Sequence, residues 1–301
     1  MRALVISGGG SKGAFAGGVA QYLIEERGYS YDLLLGTSTG SLLISHLALG
    51  KIDKIRNVYT SVDQDSIFSN RPFTIQRKHG VESIGINHWK VVRNFLRGSK
   101  TFGESFHLLD LIRRTITPEE FETLKTGPKE LVVTVSNLSL NQVEYKSIND
   151  FDYEEFCEWI WISCNYIPFM SLVRKNGCEY ADGGLGSMVP IEEAIRRGAT
   201  TVDAIILHTE VTHINRMPSR NPFSLLTNMG AFMLDRIEQQ NIKIGKFVAG
   251  NHGAIINFYY TPTVLTTNSL IFDKEQMGQW WESGYLFAST KVIGASELEP
   301  D

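Results

Sequence analysis

The sequence predicts an α/β protein with one mixed, mostly parallel sheet and helices on both of its faces. Three observations carry that reading. Short apolar runs alternate with helical stretches along the chain. Several of those runs, such as Glu130–Asn137 (ELVVTVSN), are almost continuously apolar, as strands covered on both faces are. The chain also opens with a strand–helix–strand unit over residues 2–36.

The elements follow in order. A strand over Arg2–Ser7 leads into a helix over 13–27, stopped by Gly28, and then a strand over 31–36. A crossover of this length makes the two strands parallel neighbours with right-handed connection. Their following loops then emerge together at the carboxyl edge, where open α/β sheets bind ligands. Leu42–Leu49 reads as a buried helix ending near Gly50, and 51–62 as a short one with Ile52, Ile55 and Tyr59 inward. Periodicity weakens over 65–107. Helices are expected at 106–115, after the Thr117 cap and Pro118, and at Tyr153–Cys164 with Phe156, Trp159 and Ile160 inward. Strands are expected at 130–137, at 142–147 with more exposure, and just before Asp182-Gly183-Gly184. A helix from Pro190 to Arg197, a strand at 202–207, a mostly helical 222–249, a strand at 254–260 and an amphipathic helix over 273–292 complete the chain.

Composition narrows the function. The 301 residues are 43% hydrophobic and 21% charged, with a net charge of −4, so nothing marks a nucleic-acid partner. We expect a single domain over 1–301 with a variable insertion at about 65–107. Cys157, Cys164 and Cys178 are odd in number and lack zinc-ligand spacing, which fits a reducing compartment. The N-terminus enters a strand directly, and no run is long enough to span a membrane. The expectation is a cytoplasmic protein, peripheral at membrane surfaces, that uses no metal and no cofactor.

The chemistry gathers at Gly36-Thr37-Ser38-Thr39-Gly40, a G-x-S-x-G box between two apolar runs. That is the strand–turn–helix setting of a nucleophile elbow, with Gly36 and Gly40 leaving room for a sharp turn. Gly8-Gly9-Gly10-Ser11-Lys12-Gly13 follows the first strand, so its backbone N–H groups can face an anion. The spacing also fits a dinucleotide fingerprint, but that needs an acid at the end of the second strand, and Asp32 stands at its start. Lys12 is either a solvated lysine at a helix start or, the reading we favour, a charge that helps neutralise an anion at this loop. A serine needs a base. Of the 7 histidines, only His208 is well placed, at the end of the strand over 202–207. His46, His79, His88, His107, His213 and His252 are not. The alternative is Asp182, whose pKa a dry pocket would raise.

Taken in order, Gly8–Gly13, Gly36–Gly40 and Asp182-Gly183-Gly184 resemble the three motifs of the patatin-like phospholipase family, G-G-G-x-[KR]-G, G-x-S-x-G and D-G-[AG]. The resemblance covers most of 1–200, includes Val189-Pro190, and extends to Gly284-Tyr285 and Ala288. It implies a three-layer α/β/α sandwich and a metal-independent serine lipid acyl hydrolase of phospholipase A or lysophospholipase type. Ser38 would be the nucleophile and Asp182 the base. The Gly9 and Gly10 amides would form the oxyanion hole, within the loop that Gly8, Lys12 and Gly13 complete. The family often carries Ala-Ser-x-x-x-Pro before the aspartate strand; here Ile162-Ser163-Cys164-Asn165-Tyr166-Ile167-Pro168 is bulkier and longer, which bears on the acyl pocket. Two other readings stay open: a Ser–Asp–His esterase using His208, and a non-catalytic lipid-binding protein.

Residues 71–100 hold seven Lys or Arg (Arg71, Arg77, Lys78, Lys90, Arg93, Arg97 and Lys100) against one acid, Glu82, with Trp89 and Phe95 interleaved. The segment is either a solvated insertion or a patch that makes transient contact with anionic lipid. The next candidate for such contact is the closing helix around Trp280 and Trp281.

Overall fold

The computed structural model describes residues 1–78, 81–96, 98–211, 219 and 222–296. His79, Arg97 and His213 lie outside the described residues, as do the side chains of Arg77, Lys78, Glu82 and His88.

The chain opens as expected. Strand β1 (Arg2–Ile6) leads through the glycine loop to helix α1 (Gly13–Gln21), which continues as one wider π-helical turn to Glu26. Strand β2 (Leu33–Thr37) pairs parallel with β1, Leu4 opposite Leu34. Helix α2 (Thr39–Ala48) leaves the elbow, and α3 (Ile52–Ser61) buries Ile52, Ile55 and Tyr59.

Regular structure then appears that the weak periodicity had not shown. A short helix α4 (Gln64–Ile67) precedes an antiparallel hairpin of β3 (Phe73–Lys78) and β4 (Val81–Ile86), and helix α5 (His88–Leu96) follows. The hairpin is held by tertiary contact more than by its own pattern. Phe73 is buried edge-on against Phe68, ring centroids 5.7 Å apart, and tilted onto Phe169. In helix α5 Val91 is buried, while Trp89, Val92 and Leu96 share one face that looks outward.

Helices α6 (Phe106–Thr115) and α7 (Pro118–Thr126) follow, the latter started by a reciprocal Thr117–Glu120 capping box. Strand β5 (Glu130–Asn137) is the pivot of the sheet, and β6 (Gln142–Ser147) pairs antiparallel along one of its edges. Helix α8 (Tyr153–Ser163) leads to a tight hairpin of β7 (Val173–Lys175) and β8 (Cys178–Asp182). Its turn is Asn176-Gly177, both at positive φ, a signal the sequence carries openly. Helix α9 (Ile191–Arg196), strand β9 (Thr201–Ile206), the long helix α10 (Pro222–His252), strand β10 (Ile255–Tyr260) and helix α11 (Lys274–Ser296) complete the order.

The 8-stranded sheet runs β10-β9-β1-β2-β5-β8-β7, with β6 on the other edge of β5. It is parallel from β10 to β5 and antiparallel beyond. Alternate residues feed two cores, as the two-residue period of a strand requires. Leu4, Ile6 and Leu34 pack under α1, α2 and α11; Ala3, Val5 and Leu33 pack under α9 and α10. The result is the expected three-layer α/β/α arrangement.

The closing helix is not a surface element at its tryptophans. Trp281 is fully buried and donates from Nε1 to Gln21 Oε1 at 2.8 Å; Trp280 is buried as well. Gly17 and Gly18 of α1 leave the room Trp281 fills, and Gly284 meets the backbone of Phe15, so α1 and α11 pack closely. This removes Trp280 and Trp281 as candidates for membrane contact.

Candidate active site

The site forms where two strands meet head to head. One edge of β5 carries β6, so β2 and β8 must share the other. Strand β2 runs parallel to β5 and ends with Thr37 opposite Thr134; β8 runs antiparallel and ends with Asp182 opposite Val135. Neighbouring residues of β5 therefore bring the end of one strand against the end of the other. Ser38 Oγ donates to Asp182 Oδ2 at 2.7 Å.

Ser38 itself is strained, with φ 53° and ψ −120°. For a residue with a side chain this conformation costs roughly 1–3 kcal/mol and persists only where its surroundings impose it. They do so through contact: a side chain at Gly36 would run into the backbone of Gly40 and Ser41, and one at Gly40 into the Ile6 carbonyl.

Hydrogen bonds fix the rest of the turn. Ser41 Oγ donates to the Gly36 carbonyl at 2.9 Å, so its bond to Ser163 Oγ, also 2.9 Å, has Ser163 as donor. Ser163 Oγ in turn accepts from the Ser38 N–H at 2.9 Å. The Cys164 thiol donates to the Ser38 carbonyl at 3.2 Å, and the Asn165 carbonyl accepts from the Asp182 N–H at 3.0 Å. The bulky segment 162–168 thus cradles both Ser38 and Asp182 as well as lining the cavity with Tyr166.

Asp182 is 5% exposed. Its Oδ1 accepts from the Gly184 N–H at 2.7 Å, the bond that shapes the Asp-Gly-Gly turn. Burial pushes its carboxyl up to about 7, against the opposing pull of the Gly184 N–H and the Ser38 hydroxyl. Gly183 packs against the backbone of Thr134 with no room for a side chain.

In the glycine loop, the Gly8 N–H is engaged with the Met188 carbonyl at 3.3 Å. Among the described residues, no partner is found for the N–H of Gly9 or Gly10. Gly10 has φ 57°, and its carbonyl accepts from the Tyr59 hydroxyl at 2.6 Å. Tyr59 also contacts Thr39 Oγ1, tying the loop to the start of α2, and Gly13 fits against both. In sequence Tyr59 reads as an inward residue and not as a clamp on the loop, and nothing beside Ser163 marks its bond to Ser38.

Lys12 is buried, not solvated. Its Nζ donates to the Leu207 carbonyl at 2.6 Å and lies 3.2 Å from His208 Nε2. Burial lowers its pKa to about 8, while the charges of Glu238 and Asp235 pull it up. On its other side the His208 ring places Nδ1 2.8 Å from Glu238 Oε2. Asp235 lies 3.5 Å from Nε2. His208 is thus engaged with Lys12 and α10, and the partner of the Ser38 hydroxyl is Asp182. The alternative triad is not assembled.

Ser38, Asp182, Gly9 and Gly10 all line a cavity of about 1330 Å³. That exceeds the roughly 300–1,000 Å³ of small-molecule pockets. Its wall is apolar beside α3 and α6, with Ile55, Leu108 and Ile112, and polar beside α10, with His208, Glu238 and Lys243. Among the described residues no group of three or more His, Cys, Asp or Glu side chains could hold a metal ion, and no helix is long and apolar enough to cross a membrane.

Comparison with known proteins adds a family. The patatin-like phospholipase model matches residues 4–195, a span that contains Ser38, Asp182 and the glycine loop. No curated protein matches the chain. Among solved structures, the crystal structure of VipD from Legionella pneumophila is similar, with 15% identity, 97% of this chain and 67% of that one covered, and a TM-score of 0.46.

Proposed function

This chain belongs to the patatin-like phospholipase family of lipid acyl hydrolases, and on that premise we propose that it is a metal-independent serine hydrolase of phospholipase A or lysophospholipase type, working through Ser38 and Asp182. The observation that carries the reading is the 2.7 Å bond from the Ser38 hydroxyl to a buried carboxylate.

In the proposed mechanism, Ser38 Oγ attacks the ester carbonyl as its proton passes to Asp182. The negative charge that develops on the carbonyl oxygen is met by the Gly9 and Gly10 N–H groups, which have no other partner among the described residues. The tetrahedral intermediate collapses, the C–O bond to the alcohol breaks, and Asp182 returns its proton to the leaving oxygen. A water molecule then repeats the sequence on the acyl-enzyme, with Asp182 again taking the proton and Ser38 regaining it. A carboxyl near 7 suits this double role, because it accepts and releases a proton at neutral pH with little driving force lost. The apolar side of the cavity suits an acyl chain, and the polar side a head group. Contact with the lipid surface is part of the proposal, with the outward Trp89, Val92 and Leu96 of α5 in support.

Labelling with a fluorophosphonate probe tests the reading directly. The purified chain is expected to be labelled once, at Ser38, and to release fatty acid from mixed liposomes, while Ser38→Ala does neither. A chain that binds lipid but is neither labelled nor active would be a lipid-binding protein that retains the motifs.

A further inference from the structure

The long helix α10 is apolar on two sides. Its inward side packs Leu234, Ile237, Ile242 and Val248 against the core and sets Ser224, Asn228, Asp235 and Glu238 along the cavity. Its outward arc is apolar: Leu225, Met229, Phe232 and Met233 are 59, 51, 60 and 51% exposed. These four recur at the three- and four-residue steps that place side chains on one face of a helix. Farther along the same arc stand the exposed Arg236 and Phe247, with Lys243 exposed at the edge where the arc meets the cavity. The only acids of α10 are Asp235 and Glu238, and both lie by His208 on the other side. A soluble helix ordinarily turns its apolar stripe inward. Here four further large apolar residues stay in water, on a helix whose own acids face the other side, in a chain whose net charge is −4.

Helix α5 shows the same composition. Trp89 and Leu96 are exposed, Lys90 and Arg93 stand among them, and 88–96 contains no acid. The two helices are joined by rings. Phe95 of α5 lies on Phe102, Phe102 on Phe169, and Phe169 on Tyr166, at centroid distances of 5.7, 5.9 and 5.6 Å. The Tyr166 hydroxyl then rests against Gly230 of α10. Phe169 and Tyr166 also line the cavity.

We infer that the outer arc of α10 is a docking surface for an anionic lipid bilayer, which seats the wall of the cavity on the membrane from which the substrate comes. The inference rests on the lipid hydrolase reading. Charge complementarity selects the occupant: apolar side chains enter the headgroup boundary while Arg236 and Lys243 meet lipid phosphates. Because the same helix forms the cavity wall, docking through its outer arc sets the bilayer one helix diameter, about 10–12 Å, from the cavity.

The test uses the full chain with Ser38→Ala, so that binding is read without hydrolysis, and vesicles of equimolar phosphatidylcholine and phosphatidylglycerol. Leu225→Ser, Met229→Ser, Phe232→Ser and Met233→Ser together should lower vesicle partition at least ~10-fold. Arg236→Gln with Lys243→Gln should lower it too and flatten its salt dependence. The serine substitutions in the Ser38-intact chain should leave turnover of a short soluble ester unchanged, which shows that the variant folds. Unchanged vesicle partition overturns the inference. So does a concentration-dependent dimer that the serine variants abolish while neither protein binds vesicles, because the arc would then belong to a second copy of the chain. Absence of soluble-ester turnover in the unmodified chain would instead sink the hydrolase reading, independently of how the vesicles behave.

Discussion

The Ser38 hydroxyl donates to Asp182 Oδ2 across 2.7 Å between residues 144 apart in the chain. Strand β5 makes the connection, presenting Thr134 to the end of β2 and Val135 to the end of β8. The bond is short, half-buried and reached from strand ends rather than from loops, so its geometry is set by the sheet.

If Asp182 is the base, Asp182→Asn should lower kcat by ~10²–10⁴ or more, because the nucleophile depends on it entirely. His208→Asn should change kcat far less, since His208 is engaged with Lys12 and Glu238. Steady-state rates on a soluble ester decide it, and the opposite ranking would restore the triad.

The raised Asp182 pKa sets a pH profile for activity. Only the carboxylate accepts a proton, so kcat/KM should climb about tenfold per pH unit below the pKa and level off above about 7. A profile flat from pH 5 to pH 8 would contradict the assignment.

Stability should follow the same group with the opposite sign. The carboxyl titrates at about 7 in the folded chain against an ordinary value of 3.8. Between those values the unfolded chain holds fewer protons, so stability falls as pH rises from 3.8 to about 7. The loss is on the order of 4 kcal/mol. Asp182→Asn should remove that slope in urea unfolding measured across the pH range. An unaltered slope would show that other groups dominate.

Ser163→Ala should loosen the elbow. It leaves the Ser38 N–H and one Ser41 lone pair without their partner in a dry site. An unsatisfied buried polar group costs roughly 1–3 kcal/mol. Chemical unfolding should show that loss, and kcat should fall while KM moves little, because Ser163 positions Ser38 without touching substrate. A KM effect with unchanged kcat would place Ser163 in substrate binding instead.

The proposed steps need only Ser38, Asp182 and backbone amides. A chelator should therefore leave turnover of a monomeric ester unchanged. Loss of activity that calcium restores would count against the mechanism.

What the sequence by itself determined is the part written in neighbouring residues. A positive-φ serine needs small residues at Gly36 and Gly40, a loop that turns its N–H groups to an anion needs glycines, and a helix start shows as Thr117, Pro118 and Glu120. The opening strand–helix–strand unit has its handedness and parallel pairing fixed by its length. These are backbone requirements met within a few residues, so they are legible without the rest of the chain. The role of segment 162–168 was half legible, since its Ser and Pro were visible but not their reach.

The tertiary structure decided everything that depends on which edge or face meets which. The end-on meeting of β2 and β8 on β5 brings Asp182 to Ser38, and no local pattern specifies that edge. Lys12 reads in sequence as a charge facing an anion at the loop, yet the end of β9 supplies the Leu207 carbonyl to which its Nζ donates. Trp280 and Trp281 look like membrane anchors, yet glycines of α1 make the space that buries Trp281. The outward apolar arc of α10 looks like an ordinary core stripe in sequence. Hydrophobic periodicity reports that a helix has an apolar side; only packing determines whether that side finds a core or is left facing water.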